Sequence, residues 1–186
     1  MKRLVIDCET TGLRPNFHQI LTVGVVLAEI KPCSLNILDE RHFFIKHEQY
    51  NVSKTAMRIN NINLTEHHEI GILPSLFCKR IDDFILSNDL KNTSLLGHNL
   101  HFDLNFLKAL FTNEKHLIPF CTKKEDTRYL WEGLKRKGII NPNLNSKLGT
   151  IAGHFGIDYQ KAHDALADCH ITANVYHKML PLMPKC

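Results

Sequence analysis

The sequence predicts an α/β fold, a mixed β-sheet covered by helices. Three observations predict it. Apolar, β-branched runs crowd the first quarter of the chain and are separated by short loops containing Gly12, Pro15 and Pro32. Two further short apolar runs follow later, and helical stripes fill the intervening and final stretches. Strands first and strand–helix alternation afterwards are the pattern of a mixed sheet with helical cover.

The first element is "RLVIDCETTG", with a strand at about Leu4 to Glu9. "QILTVGVVLAEI" and "ILDERHFFIKH" read as a second and third strand, so the opening is an antiparallel meander. After "YNVSKT" the pattern becomes helical. "LPSLFCKRIDDFIL" sets Leu76, Phe77, Ile81, Phe84 and Ile85 on one stripe, with Pro74 in the first turn. "TSLLGHN" is a short fourth strand, followed by a helix containing Leu104, Phe106, Leu107, Leu110 and Phe111. A fifth strand is expected near "LIPFCT". Three helices close the chain: "TRYLWEGLKRKG", "SKLGTIAGHFG" with Ser146 as cap and Gly156 as stop, and "HDALADCHITANVYHKML".

The 186 residues suit one domain, 1–186, without linker or repeat, and are enough to bury roughly 70% of the unfolded surface. Apolar residues at 44% and charged residues at 23% exclude a disordered chain. No apolar run approaches the roughly 20 residues that span a bilayer. "MKRLVIDCE" meets an acid too early for a signal peptide, so a cytoplasmic protein without membrane contact is expected. The six cysteines form no C-x-x-C pair and read as reduced thiols, mostly core filler. "EHHE", Glu66 to Glu69, has no Cys or His partner at zinc-finger spacing and reads as a surface feature. A net charge of +4 is compatible with a polyanionic partner without requiring one. The basic residues gather in Lys123, Lys124, Arg128, Lys135, Arg136 and Lys137 around Tyr129 and Trp131, either a nucleic-acid face or a solvated helix.

Three clusters carry chemistry. In the first strand a period of two places Asp7 and Glu9 on one face with Cys8 on the other. Two such carboxylates raise each other's pKa unless a cation neutralises them, or else lie solvated at a strand end. "HNLHFD" delivers His98, Asn99 and Asp103 where a strand exits into a helix, the usual collecting point of α/β sheets. Asp103 also suits a helix start for its charge alone. In "AHDALADCH", five steps of about 100° leave His163 and Asp168 about 140° apart on an ideal helix. They cooperate only if His163 stands in the loop or cap before it, for which "FGIDYQKA" supplies a loop; otherwise they form a capping or surface pair.

In order, D-x-E-T-T-G, H-N-x-x-F-D and H-x-A-x-x-D resemble the three motifs of the DEDDh exonucleases, the family of the proofreading epsilon subunit of DNA polymerase III and of ribonuclease T. The resemblance runs through nearly the whole chain, including "AMRINNINLTEHHEIGILPSLFCKRIDDFIL" and "LNSKLGTIAGHFGI". One departure is "NNIN", Asn60 to Asn63, where relatives commonly place a glycine before "IT"; Asn tolerates left-handed backbone, so the turn can survive.

The resemblance implies a ribonuclease-H-like exonuclease fold, a five-stranded mixed sheet flanked by helices. It implies a 3′-to-5′ exonuclease releasing nucleoside 5′-monophosphates from single-stranded DNA or RNA. Asp7, Glu9, Asp103 and Asp168 are the expected ligands of two Mg²⁺ or Mn²⁺ ions, hard cations that suit carboxylate oxygens. His163 is the expected general base. Thr10, Thr11 and Gly12 would approach the terminal nucleotide, Leu13 would wedge against its base, and Asn99 would hold the scissile strand or the Asp103 loop. Alternatives remain open at this level: an RNA-trimming or oligoribonucleotide-degrading enzyme; a free enzyme, a phage or mobile-element nuclease, or a polymerase-bound or other replication or repair subunit; and an idle nucleic-acid-binding or assembly module. The chain ends shortly after its third-motif helix, so no polymerase or helicase domain is expected on it. The sequence does not indicate an oligomeric state.

Overall fold

A computed structural model describes residues 1–160 and 163–183. Five strands form one mixed sheet: β1 (Lys2–Thr10), β2 (Ile20–Lys31), β3 (Ser34–Phe44), β4 (Leu95–Gly97) and β5 (Lys124–Asp126), in spatial order β3-β2-β1-β4-β5. The first three pair antiparallel, as their short connections dictate, and β4 and β5 join parallel to β1 through helical crossovers. The fifth strand is Lys124–Asp126. The apolar segment "LIPFCT" is a loop in which Leu117 and Ile118 are exposed.

Between β3 and β4 lie α1 (Lys54–Asn60), α2 (Leu64–Ile70) and α3 (Pro74–Ser87), and α4 (Leu100–Asn113) follows β4. The final helices are α5 (Thr127–Arg136), α6 (Leu148–His154) and α7 (Ala165–Met179), with a 3₁₀ turn at Leu180–Leu182. Pro74 opens α3, where its missing N–H is no loss. Phe77, Ile81, Phe84 and Ile85 bury its stripe, while Leu76 falls outside it, 39% exposed. Ser146 does not cap α6. Lys147 is the N-cap residue, and the Ser146 hydroxyl instead donates to the Glu132 carboxylate. Gly156 does take the positive φ of a stop, +67°. "EHHE" is only partly a surface feature: His67 in α2 is buried and its Nε2 bonds the Ile45 carbonyl at 2.9 Å.

Alternation along β1 and β2 divides the core. Leu4, Ile6, Val23, Val25 and Leu27 face α3 and α4, whereas Val5, Val26, Ala28 and Leu96 face α7. Cys8, Cys78 and Cys169 are buried in these layers, Cys121 is half-buried and Cys33 exposed; Cys186 lies outside the described residues. Trp131 is fully buried among α5, α6 and α7, so it belongs to the core and not to a basic surface; Tyr129 is exposed.

Candidate active site

Parity places the first two acids. Asp7 and Glu9 share the odd-numbered face of β1 with Val5, the face that α7 covers, and Cys8 turns to the α4 side. Opposite Asp7 in the neighbouring strand stands Gly24. A Cβ built there would meet the Ala165 carbonyl oxygen at 2.4 Å, so only glycine lets the first turn of α7 lie this close to the sheet. The Cys169 thiol donates to the Gly24 carbonyl at 3.3 Å from the same turn. Asp168, one residue earlier, is thereby held against β1.

α7 begins at Asp164, whose carboxylate accepts from the Ala167 N–H at 2.9 Å. His163 precedes this cap with φ +70°, and its backbone N–H donates to Asp168 Oδ2 at 3.2 Å. The histidine stands ahead of the helix and the aspartate in its first turn, which is how residues five apart come together. Lys161 and Ala162, the end of the expected loop, lie outside the described residues. Ligand atoms of Glu9, His163 and Asp168 lie within 4.8 Å of one another.

Asp103 enters from the first turn of α4 and accepts the Cys8 N–H at 3.0 Å, which ties it to β1 between the other two acids. Asn99, in the left-handed conformation (φ 61°), makes the turn from β4 into α4. The free N–H groups at that helix start go to Asp126, which accepts from Asn99 N at 3.0 Å and Leu100 N at 2.8 Å. Asp126 also caps α5 through Arg128 N, so one carboxylate at the end of β5 anchors two helices of the site. Asp126 was not among the residues singled out from the sequence; its only signal there was an acid before a helical stripe. His98 bonds Thr127 Oγ1 at 2.9 Å, and burial lowers its pKa below the ordinary histidine value.

The acids, His98, Asn99, Phe102, Arg128, Tyr159 and His163 line one cleft of about 760 Å³. Thr10, Thr11, Gly12 and Leu13 lie beyond its Glu9 end. Thr10 and Thr11 are buried, the Thr10 hydroxyl donating to the Gly12 carbonyl and the Thr11 hydroxyl accepting from Gln19 N, whereas Leu13 is 76% exposed. The departure at "NNIN" meets this loop directly. Asn61 adopts φ 53° and closes α1, and the Asn60 amide donates to the Thr10 carbonyl at 3.1 Å.

Electrostatically the acids are unsatisfied. Burial, and then the neighbouring Asp103, Asp168 and Glu9 charges, push Asp7 well above the carboxylate range. Burial with Asp168 and Asp164 pushes Glu9 to about 8. Burial raises Asp103 against two backbone N–H groups that favour its charge. Asp168 rises to about 6, again through burial, offset in part by the His163 N–H. Among the described residues Asp168 Oδ1 is buried with no hydrogen-bond partner. Four hard oxygen donors that resist ionisation, one of them orphaned, suit divalent cations. Tyr159 stands in the same field: burial and then Asp168, Asp7 and Glu9 hold its proton to about 12. Its ring packs on Gly149, where a Cβ would lie 2.7 Å from it.

A family profile described as Exonuclease (RNase_T) matches residues 4–176. The chain belongs to the exonuclease family. Relatives named ribonuclease T, from Buchnera aphidicola, and DNA polymerase III subunit epsilon, from Treponema pallidum, match 95% and 94% of this chain, as the motif resemblance implied. The PolC-type DNA polymerase III of Ureaplasma parvum is 28% identical over 185 residues, 95% of this chain but 11% of the polymerase. The chain thus spans about a tenth of the PolC-type relatives it matches. Among solved structures, the zinc-bound complex of E. coli ExoI with single-stranded DNA superimposes with a TM-score of 0.84 at 22% identity, over 99% of this chain and 41% of that one. The nuclease domain of 3′hExo, a DEDDh family member bound to rAMP, gives 0.79 at 20% identity over 97% and 92%. These likenesses establish the exonuclease fold, with its five-stranded mixed sheet. Among the described residues no helix is long and apolar enough to cross a membrane.

Proposed function

We propose that this exonuclease removes nucleoside 5′-monophosphates one at a time from the 3′ end of single-stranded DNA or RNA. The observation that carries the reading is the convergence of Asp7, Glu9, Asp103 and Asp168 from β1, α4 and α7, with His163 beside Glu9 and Asp168. These four carboxylates would hold two Mg²⁺ or Mn²⁺ ions, which when bound neutralise the acids and supply positive charge for attack on phosphorus and for the leaving oxygen.

The chain's own groups do the remainder. His163 takes a proton from the attacking water, its backbone anchored to Asp168 so that the imidazole and the carboxylate keep a fixed relation. Water adds to phosphorus, the P–O3′ bond breaks, the 3′ oxygen takes up a proton from solvent, and the shortened strand leaves with a free 3′ hydroxyl. Asn99 orients the scissile strand from the α4 turn. Backbone groups of Thr10, Thr11 and Gly12 meet the terminal nucleotide, whose base rests on exposed Leu13. The ExoI neighbour's single-stranded DNA supports a single-strand substrate and the 3′hExo neighbour's rAMP supports a nucleoside monophosphate product, and together they do not choose the sugar. The epsilon and PolC-type relatives support association with a replicative polymerase.

The test is degradation of matched end-labelled DNA and RNA strands with Mg²⁺ or Mn²⁺. A 3′ label should leave at once as mononucleotide and a 5′-labelled strand should shorten as a ladder. Cutting of closed circles, or full activity in excess EDTA, overturns the reading.

A further inference from the structure

The cleft contains more charge than the acid centre uses. Besides the four carboxylates it is lined by two cations, Arg128 on α5 and Lys147 in the loop before α6, elements that carry none of the acids. Both side chains are exposed, and among the described residues neither forms an ion pair. The nearby Glu132 is committed elsewhere, to Lys135 at 2.9 Å and to the Ser146 hydroxyl. Arg128 is nevertheless fixed in place. Its backbone N–H bonds Asp126 and one Nη donates to Asn99 Oδ1 at 2.9 Å. A guanidinium has five N–H donors in a rigid fork, so among the described residues the others stay free for a planar, bidentate anion contact.

The chemistry of the reaction names that anion. A nucleotide leaving from a 3′ end has the scissile phosphate on its own 5′ side and none beyond. Every further phosphate of the substrate therefore lies on the 5′ side of the bond being cut. We propose that Arg128 and Lys147 form a second phosphate subsite that grips the phosphodiester next to the scissile one, on its 5′ side, and so makes a strand a better substrate than a single phosphodiester. This rests on the exonuclease reading above. It also gives Arg128 a specificity role that the motif acids do not have. Contact with a backbone phosphate carries no base information, so the subsite serves any sequence.

The experiment compares two substrates with Mn²⁺ present: a single-stranded oligonucleotide and the 4-nitrophenyl ester of thymidine 5′-monophosphate, which has one phosphodiester and no 5′ neighbour. For Arg128→Gln, the ratio of strand to ester kcat/KM should fall at least tenfold, through KM for the strand, and Arg128→Lys should restore part of it. Counterion release adds a second reading, since each lost contact to a single strand should flatten the slope of log affinity against log salt by about 0.7. Lys147→Gln, on a separate element, should act in the same direction. If Arg128 served only to orient Asn99, ester and strand would slow together and the salt slope would not change, which overturns the subsite. An unchanged ratio in both variants overturns it as well. A wild-type protein that degrades neither substrate instead defeats the exonuclease reading, so the two failures are separable.

Discussion

His163 and Asp168 are joined by a backbone bond as well as by their side chains' proximity, and this decides which substitution tests the base. At φ +70° an alanine would be strained and would disturb the N–H that Asp168 accepts, whereas asparagine tolerates left-handed backbone. His163→Asn should lower turnover by roughly 10² to 10⁴ while the protein still gains thermal stability from added Mn²⁺. Near-normal turnover would move the proton-accepting role elsewhere, with His98 as the remaining histidine of the cleft. Asp7 poses the opposite case. Its carboxylate is buried among three others and resists ionisation, so Asp7→Asn removes repulsion from the metal-free protein. Loss of an outer partner of a metal typically costs 10- to 100-fold. Asp7→Asn should therefore cost more than about 10² in turnover and yet raise the melting temperature in EDTA at pH 8. A variant that loses both activity and stability would show Asp7 to be a structural acid.

The site exists because elements approach one another at particular points, and Gly24 is the clearest of these. With any Cβ at Gly24 the first turn of α7 must lift off β2, taking Asp168 away from Asp7. Gly24→Ala should destabilise by about 1–3 kcal/mol, the usual cost of overpacking. It should also depress turnover more than an equally destabilising change remote from the cleft; equal losses would detach the packing from the chemistry. This contact also shows where sequence reading stops. β1 to β3 and α3 to α7 were legible because burial imposes periods of two or 3.6, and the acids because strand parity and motif order fix their sides. β5 was not legible: "KED" has no apolar signature, and it is a strand because β4 offers it an unpaired edge, with Glu125 reaching across to a bidentate pair with Arg3. "LIPFCT" misled because Leu117 and Ile118 stay exposed while Phe120 packs inward on Phe111 from a loop. Gly24, Asp126 and Tyr159 escaped for one reason: each acts on a residue far along the chain, and no local pattern records that.

For the molecule as a whole, four acids held in a fold that resists their ionisation link stability to pH and to metal. A carboxylate whose folded pKa lies above its unfolded one leaves the folded state holding more protons, so stability falls as pH rises between the two values. The window opens near pH 4, passes about 6 for Asp168 and reaches about 8 for Glu9. Half-buried histidines act with the other sign. Burial lowers His42, His47 and His98, so their contribution makes stability rise with pH through the unfolded value of about 6.5, ending roughly one unit above it, where they are neutral in both states. Above that point the histidines no longer contribute a slope and the acids remain. In EDTA the melting temperature should therefore decline from about pH 7.5 to 8.5, and Glu9→Gln should flatten that decline. Cations bind the ionised acids of the folded state alone, and a ligand at 100 times its Kd adds about 2.7 kcal/mol. At lower pH protons compete for the same oxygens. The rise in melting temperature on adding Mn²⁺ should consequently be larger at pH 8 than at pH 5.5 and should shrink in Glu9→Gln. A metal increment independent of pH, or a metal-free protein that grows more stable from about pH 7.5 to 8.5, would mean that these carboxylates reach solvent in the folded state and that their closeness is not what draws the cations.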